Sequence, residues 1–140
     1  MSPRSAETAT LMQAAEAARR GAYAPYSRYA VGAAVLCEDG AIVTGSNVEN
    51  ASYGLSMCAE RVALFTAHAL GKRAGDLLCV AGPPGQLTSP CGACRQVMFE
   101  YNAQMTVAFS SPSGTEIVAL HDLLPHAFTL IDRLAPDGMR

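Results

Sequence analysis

The chain has 140 residues, half of them hydrophobic, which fits one domain spanning 1–140 that buries its own core. Its charged fraction is 16% and its formal net charge −2, a balance that argues against a basic surface built for polyanions and so against a nucleic acid polymer as partner. No apolar run is long enough to span a bilayer, and the opening MSPRSAETAT lacks the basic flank and apolar stretch of a secretory leader, so the expected setting is cytoplasmic with no membrane partner.

In chain order, the Ala-rich stretch from Ser5 to about Ala24, with Gly21 and Pro25 at its far end, predicts a first helix whose apolar face is thin and mostly alanine. Ala30 to Cys37 and Ala41 to Glu49 flank Asp39-Gly40, a strong turn signal, and predict an antiparallel hairpin. Cys58 to Leu70, apolar on nearly every side and followed by Gly71, predicts a buried second helix. Leu77 to Ala81 predicts a short strand, after which Gly82-Pro83-Pro84-Gly85 forces a loop running to Pro90. Cys91 to Tyr101 reads as a third helix, Thr106 to Phe109 and Glu116 to Leu120 as strands about the turn Ser111-Pro112-Ser113-Gly114, and a short helical tail carries Phe128. A hairpin followed by alternating helices and strands predicts an α/β fold: a three-layer α/β/α sandwich around a mixed, roughly five-stranded sheet.

Five cysteines, Cys37, Cys58, Cys79, Cys91 and Cys94, make an odd count that disfavours a disulfide framework and turns attention to metal binding or thiol chemistry. Cys37 and Cys79 lie in apolar strand patterns and read as small buried hydrophobes. The other three open helices: Cys58 begins Cys-Ala-Glu-Arg, and Pro90-Cys91-Gly-Ala-Cys94 begins the next. A helix N-terminus carries partial positive charge and unpaired amides, which favour the thiolate that a metal requires. Cys91 and Cys94, three apart, can grip one ion. Three thiolates with one open position make a catalytic arrangement, whereas a structural zinc site is closed by four protein ligands. Three thiolates also leave Zn²⁺ with a net negative charge that weakens it as a Lewis acid; Arg61, three residues after Cys58, is spaced to offset it. Glu60 is only two residues from Cys58, nearly opposite on an ideal helix, so the two share a site only if the ion lies off the helix end. Taken singly these residues have plainer readings: a lone Cys-x-x-Cys is often structural zinc or a redox pair, Glu60 an acidic residue favoured by the helix dipole, Arg61 a surface charge.

Together, Cys-x-Glu and a downstream Pro-Cys-x-x-Cys form the zinc-deaminase signature. With Tyr26-Ser27-Arg28-Tyr29-Ala-Val-Gly-Ala-Ala and Asn47-Val48-Glu49-Asn50-Ala51-Ser52-Tyr53-Gly54 in register, and Arg-Gln-Val after Cys94, the chain closely resembles the homotetrameric cytidine deaminases over nearly its whole length. The resemblance implies Cys58, Cys91 and Cys94 as ligands of one zinc per chain and Glu60 as proton shuttle. It implies a nucleoside site in which Asn47 and Glu49 hold the ribose hydroxyls and Tyr29, Ala59, Ala51, Tyr53 and Phe128 contribute, with Ala51 and Tyr53 reaching a neighbouring subunit's site and Phe128 covering the base. Asn47 and Glu49, two apart on a strand, face the same way, and an amide plus a carboxylate can satisfy adjacent hydroxyls; they also read as polar punctuation at a strand end, and Phe128 as core packing. One departure is Tyr29, where the family commonly has phenylalanine: the ring keeps its stacking face, but its hydroxyl needs a partner.

The implied reaction is hydrolysis of the exocyclic amine of cytidine and 2′-deoxycytidine, in pyrimidine salvage, by a zinc-bound hydroxide, with no organic cofactor. Three rivals stand beside it. A deaminase of cytosine-containing antibiotics such as blasticidin S shares the zinc motifs; a non-catalytic zinc module predicts a fourth protein ligand and no role for Glu60; polynucleotide editing is disfavoured by the acidic balance. His68, His121 and His126 have no supporting ligand spacing.

Overall fold

The computed structural model describes residues 3–130; positions 1–2 and 131–140 of the expected domain lie outside the described residues. The elements run α1 (Pro3–Ala18), β1 (Gly32–Cys37), β2 (Ile42–Ser46), α2 (Ala59–Ala69), β3 (Ala74–Ala81), α3 (Gly92–Tyr101), β4 (Thr106–Ser111), β5 (Gly114–Ala119) and α4 (Leu120–Leu123). The five strands form one mixed sheet in the order β2-β1-β3-β4-β5, in which only β3 and β4 are parallel.

The β1–β2 hairpin closes as Asp39-Gly40 dictates. Gly40 takes a φ of 87°, and the Asp39 carboxylate accepts the amide of Ala41 at 3.0 Å. The parallel pair needs a crossover, and α3 supplies it. Alternation along the strands then sorts side chains onto two faces. Ala33, Val35, Leu78, Val80, Val107 and Phe109 pack against Ala63, Leu64 and Ala67 of α2 and Met98 of α3. On the other face, Ala34, Leu77, Cys79, Ala81 and Ala108 meet Leu11 and Ala15 of α1. The helices thus cover both faces of a five-stranded sheet, giving the three layers expected. Cys37 and Cys79 are buried in these cores as free thiols; burial pushes the Cys79 thiol up to about 12.

The first helix, β2, α2 and the tail depart from the sequence reading. The first helix ends at Ala18 and gives way to a 3₁₀ turn at Arg19–Gly21 rather than running to Ala24; the extended Ala22 ends the helical path, and Ala24, just before Pro25, is itself disfavoured in the helical region. Strand β2 stops at Ser46; beyond it Val48 makes isolated bridges to Tyr23 and Met57. Helix α2 is not buried all round: Phe65 within it is 42% exposed, and Leu70 at its C-terminal cap 61%. The tail is helical only over Leu120–Leu123, with Pro125 close behind and His126 at a φ of 54°, so Phe128 lies beyond the helix.

Helix α2, which carries the chemistry-bearing residues, sits close to β2 because Gly45 has no side chain. A Cβ there would lie 2.5 Å from the Ala63 amide nitrogen and 2.7 Å from the Ala59 carbonyl. Both neighbours are backbone and no rotamer change relieves the clash. Gly45→Ala is therefore expected to destabilise the fold by about 1–3 kcal/mol or more, read as a lowered thermal midpoint. An unshifted midpoint for Gly45→Ala would contradict the close α2–β2 packing.

Candidate active site

Cys58 and Cys91 are not helical residues but the N-caps of α2 and α3, both extended, with φ, ψ of −73°, 153° and −68°, 167°. Cys94 follows in the first turn of α3. The two helix starts converge, and the three sulfurs lie within 4.8 Å of one another. Cys58 Sγ is 3.7 Å from Cys91 Sγ, and Cys91 Sγ 3.5 Å from Cys94 Sγ. A tetrahedral zinc with bonds of about 2.3 Å spaces its sulfurs about 3.8 Å apart, so this triad fits one ion. Its extended cap also resolves the Cys58–Glu60 conflict, since the sulfur leaves the chain before the helix begins. Glu60, in the first turn of α2 and only 4% exposed, brings Oε2 to 3.6 Å from Cys94 Sγ.

The electrostatics follow from burial and from the neighbours. Burial, reinforced by the Cys58 thiolate, pushes the Glu60 carboxyl up to about 7. The Cys58 thiol is driven well down, first by a hydrogen bond from Cys94 and then by Arg61, while Cys94 is driven up by sharing that proton and by its own burial. Arg61 Nη2 donates to Cys58 Sγ at 3.3 Å, which holds the guanidinium firmly protonated. Its buried Nε has no hydrogen-bond partner among the described residues, as suits a cation set beside thiols that become fully negative only on binding a metal.

A second group of polar residues lies beside this cluster because of one small pairing. Val48 and Met57 exchange backbone hydrogen bonds of 3.0 and 2.8 Å, which docks the 47–49 segment against the residue preceding Cys58. Asn47 Nδ2 donates to the Tyr29 carbonyl at 2.8 Å and its Oδ1 accepts the Val31 amide at 2.9 Å. Glu49 Oε1 accepts the amides of Tyr26 and Ser27 at 3.0 and 3.1 Å, and Oε2 accepts the Ser27 hydroxyl at 2.5 Å. The Ser27 hydroxyl, then its amide, hold the Glu49 carboxyl below the usual carboxylate range. Glu49 also lines a cavity of about 420 Å³ with Tyr26, Ser27, Asn50, Tyr53 and Ser56. The Tyr29 hydroxyl has the partner it needs, 2.8 Å away at Thr88 Oγ1.

Ala59 is fully buried at the start of α2, beside Glu60. Ala51 is exposed, and Tyr53 and Phe128 are 79% and 65% exposed. Tyr53 meets Tyr26 edge to face at 6.3 Å, and the Phe128 carbonyl accepts a hydrogen bond from Gln96 Nε2 of α3 at 2.9 Å. Sequence reasoning missed Ser27, whose hydroxyl orders Glu49, and Arg95, which donates to the carbonyls of Pro90 and Leu123 at 2.8 Å each and so ties the ligand loop to α4. The only signal for either was its place in a quoted motif, Arg95 directly after Cys94 and Ser27 in Tyr26-Ser27-Arg28-Tyr29.

Residues 5–110 match the family model described as the cytidine and deoxycytidylate deaminase zinc-binding region. The chain is 46% identical to a cytidine deaminase of Halalkalibacterium halodurans over 124 residues, covering 87% of this chain and 94% of that protein. It is also 46% identical to a cytidine deaminase of Mycobacterium tuberculosis, covering 82% and 84%. The crystal structure of cytidine deaminase from Burkholderia pseudomallei superposes with a TM-score of 0.79 at 44% identity, over 91% of this chain and all of that one. Likeness of this extent, in sequence and in fold, places the chain in the cytidine and deoxycytidylate deaminase family, and the Cys58, Cys91 and Cys94 cluster lies within its zinc-binding region.

Proposed function

We propose that this enzyme hydrolyses cytidine and 2′-deoxycytidine to uridine and 2′-deoxyuridine with release of ammonia, as one domain holding one zinc through Cys58, Cys91 and Cys94. The observation that carries this reading is the buried Glu60 carboxyl beside a three-sulfur cluster. Zinc bound there supplies Lewis acidity that activates water for attack at C4 of the pyrimidine. Glu60 takes a proton from the attacking water and delivers it to N3, then takes the remaining proton from the hydroxyl added at C4 and passes it to the departing amine, leaving the carbonyl of the product and ammonia. A carboxyl poised near 7 by burial suits both directions of transfer. Asn47 keeps one amide hydrogen and one lone pair beyond its internal bonds, and Glu49 Oε2 keeps an acceptor site, so together they can hold ribose hydroxyls. Tyr29 and Ala59 wall the nucleoside, and Arg61 offsets the thiolate charge. The 47–53 segment favours a plain nucleoside over an antibiotic substrate.

The reading is tested by incubating the purified protein with cytidine, 2′-deoxycytidine, cytosine and blasticidin S while following ammonia release and zinc content. Ammonia is expected from the two nucleosides, with one zinc per chain. Glu60→Gln in the same assay keeps its zinc and loses about 10²-fold or more in turnover, because an amide cannot accept and return a proton. Ammonia from blasticidin S alone, or near-normal turnover in folded Glu60→Gln, contradicts the proposal.

Arg61→Gln removes the cation beside Cys58 Sγ. The variant is expected to retain zinc but turn over more slowly, with its pH–rate profile displaced to alkaline pH, since uncompensated thiolate charge lowers the acidity of the metal. An unchanged rate and profile would reduce Arg61 to a packing role.

The site is completed in a cytoplasmic homotetramer that serves pyrimidine salvage. Tyr53, Leu55, Phe65 and Phe128 are large, apolar and open to solvent in one chain, more surface than an isolated protomer gains from exposing, and closed symmetric association buries such faces. Subunit contact brings Ala51, Tyr53 and Phe128 to the base. Sedimentation should give four chains, and activity should fall as dilution dissociates them. A fully active monomer at working concentration rules this out.

A further inference from the structure

Hydrogen bonds tie Tyr29 through its amide, its carbonyl and its hydroxyl. Its amide donates to Ser27 Oγ at 3.0 Å, its carbonyl accepts Asn47 Nδ2 at 2.8 Å, and its hydroxyl lies 2.8 Å from Thr88 Oγ1 and 3.3 Å from the Leu87 carbonyl. A phenol has one proton, so one consistent assignment has the Thr88 hydroxyl donating to Tyr29 Oη and Tyr29 donating to Leu87. Thr88 is itself immobilised. It is 6% exposed, its amide donates to the Ser110 carbonyl at 2.9 Å, and a Cβ on Gly82 would fall 1.9 Å from its Oγ1. Gly82 is held in turn by the Ser110 hydroxyl, 2.9 Å from its amide. Leu87 and Thr88 therefore hang from the ends of β3 and β4, just before Pro90-Cys91.

On the other side of Tyr29 the backbone is strained. Arg28 has a φ of 59°, a left-handed conformation in a residue other than glycine. Such a residue persists only where its neighbours over-determine it, and here Ser27, bonded to Glu49, and Tyr29, bonded to Asn47 and Thr88, pin it from both ends. The turn at 26–29 joins the sugar-holding pair, Asn47 and Glu49, to the loop that delivers Cys91.

We infer that the Tyr29 hydroxyl is a positioning group: through Thr88 it latches the nucleoside-binding wall to the loop carrying the metal ligand Cys91, so that the sugar seat and the metal cluster keep a set spacing. A phenyl ring would still form the wall, but it would not hold the loop. The kinetic consequence rests on the reaction proposed above; the latch itself does not.

The test compares Tyr29→Phe, Thr88→Val and the double variant in the zinc-loaded protein. Tyr29→Phe strands the buried Thr88 hydroxyl, Thr88→Val leaves Tyr29 Oη only its 3.3 Å contact with the Leu87 carbonyl, and in each KM for cytidine is expected to rise about three- to tenfold with kcat within about twofold and zinc unchanged. The double variant replaces both partners with apolar groups and should recover at least half of that loss. Hydrogen exchange should quicken in peptides 24–31 and 84–91 of each single variant and stay unchanged in 5–18. Unaltered KM and exchange in the single variants, additive losses in the double variant, or losses that track zinc content would each overturn the inference. A wild-type protein inactive on cytidine would overturn the proposed reaction instead, and exchange would still decide the latch.

Discussion

Bringing three cysteine sulfurs within 4.8 Å of one another concentrates negative charge once a metal strips their protons, and the surrounding architecture is organised to hold that charge. Two helix N-termini point at the cluster, each contributing unpaired amides and the positive end of its dipole. Arg61 adds a full charge at 3.3 Å from one sulfur. Glu60 is kept out of water next to the same sulfurs, and its raised pKa is the direct cost of that burial. Glu60, Cys58 and Cys94 thus tune one another: the Cys58 thiol is driven down while the Glu60 carboxyl and the Cys94 thiol are driven up.

The sheet makes the convergence possible. Parallel strands β3 and β4 require a crossover, and α3 begins where the loop after β3 returns over the sheet. Ligand sites in α/β proteins gather beyond the carboxyl ends of parallel strands, and Pro90-Cys91 arrives there. Helix α2 reaches the same end from the hairpin side, brought close by the missing side chain of Gly45. The Val48–Met57 bridge then sets Asn47 and Glu49 beside Cys58. The cysteine cluster, Glu60 and the Asn47–Glu49 pair are joined through short backbone links, which leaves little slack between them.

Much of this was legible in the sequence, and the reasons are physical. Asp39-Gly40 fixes a hairpin by itself because few residues tolerate its φ. The thiol cluster was legible because Cys-x-x-Cys and Cys-x-Glu each opened a helix, where thiolates are favoured. The apparent conflict between Cys58 and Glu60 came from treating Cys58 as helical, and its extended N-cap geometry removes it. Illegible features depended on distant partners. The Ser27 hydroxyl finds Glu49 across 22 positions and Tyr29 finds Thr88 across 59, and no periodicity encodes such pairs. Phe128 was read onto a short helical tail; Pro125 and the left-handed His126 stop that helix first. The exposed side of α2 misled in the opposite sense: an apolar stripe reads as core whether it is covered by its own chain or by another copy.

The central claim is that zinc is held by three thiolates and keeps one position for water. X-ray absorption at the zinc edge of the purified protein tests it most directly. The account predicts three sulfurs at about 2.3 Å and one oxygen at about 2.0 Å, with the sulfur number falling to two in Cys91→Ala if any metal is retained. A shell of four sulfurs, or of three sulfurs with a histidine nitrogen, would mean a closed structural site and would contradict the account.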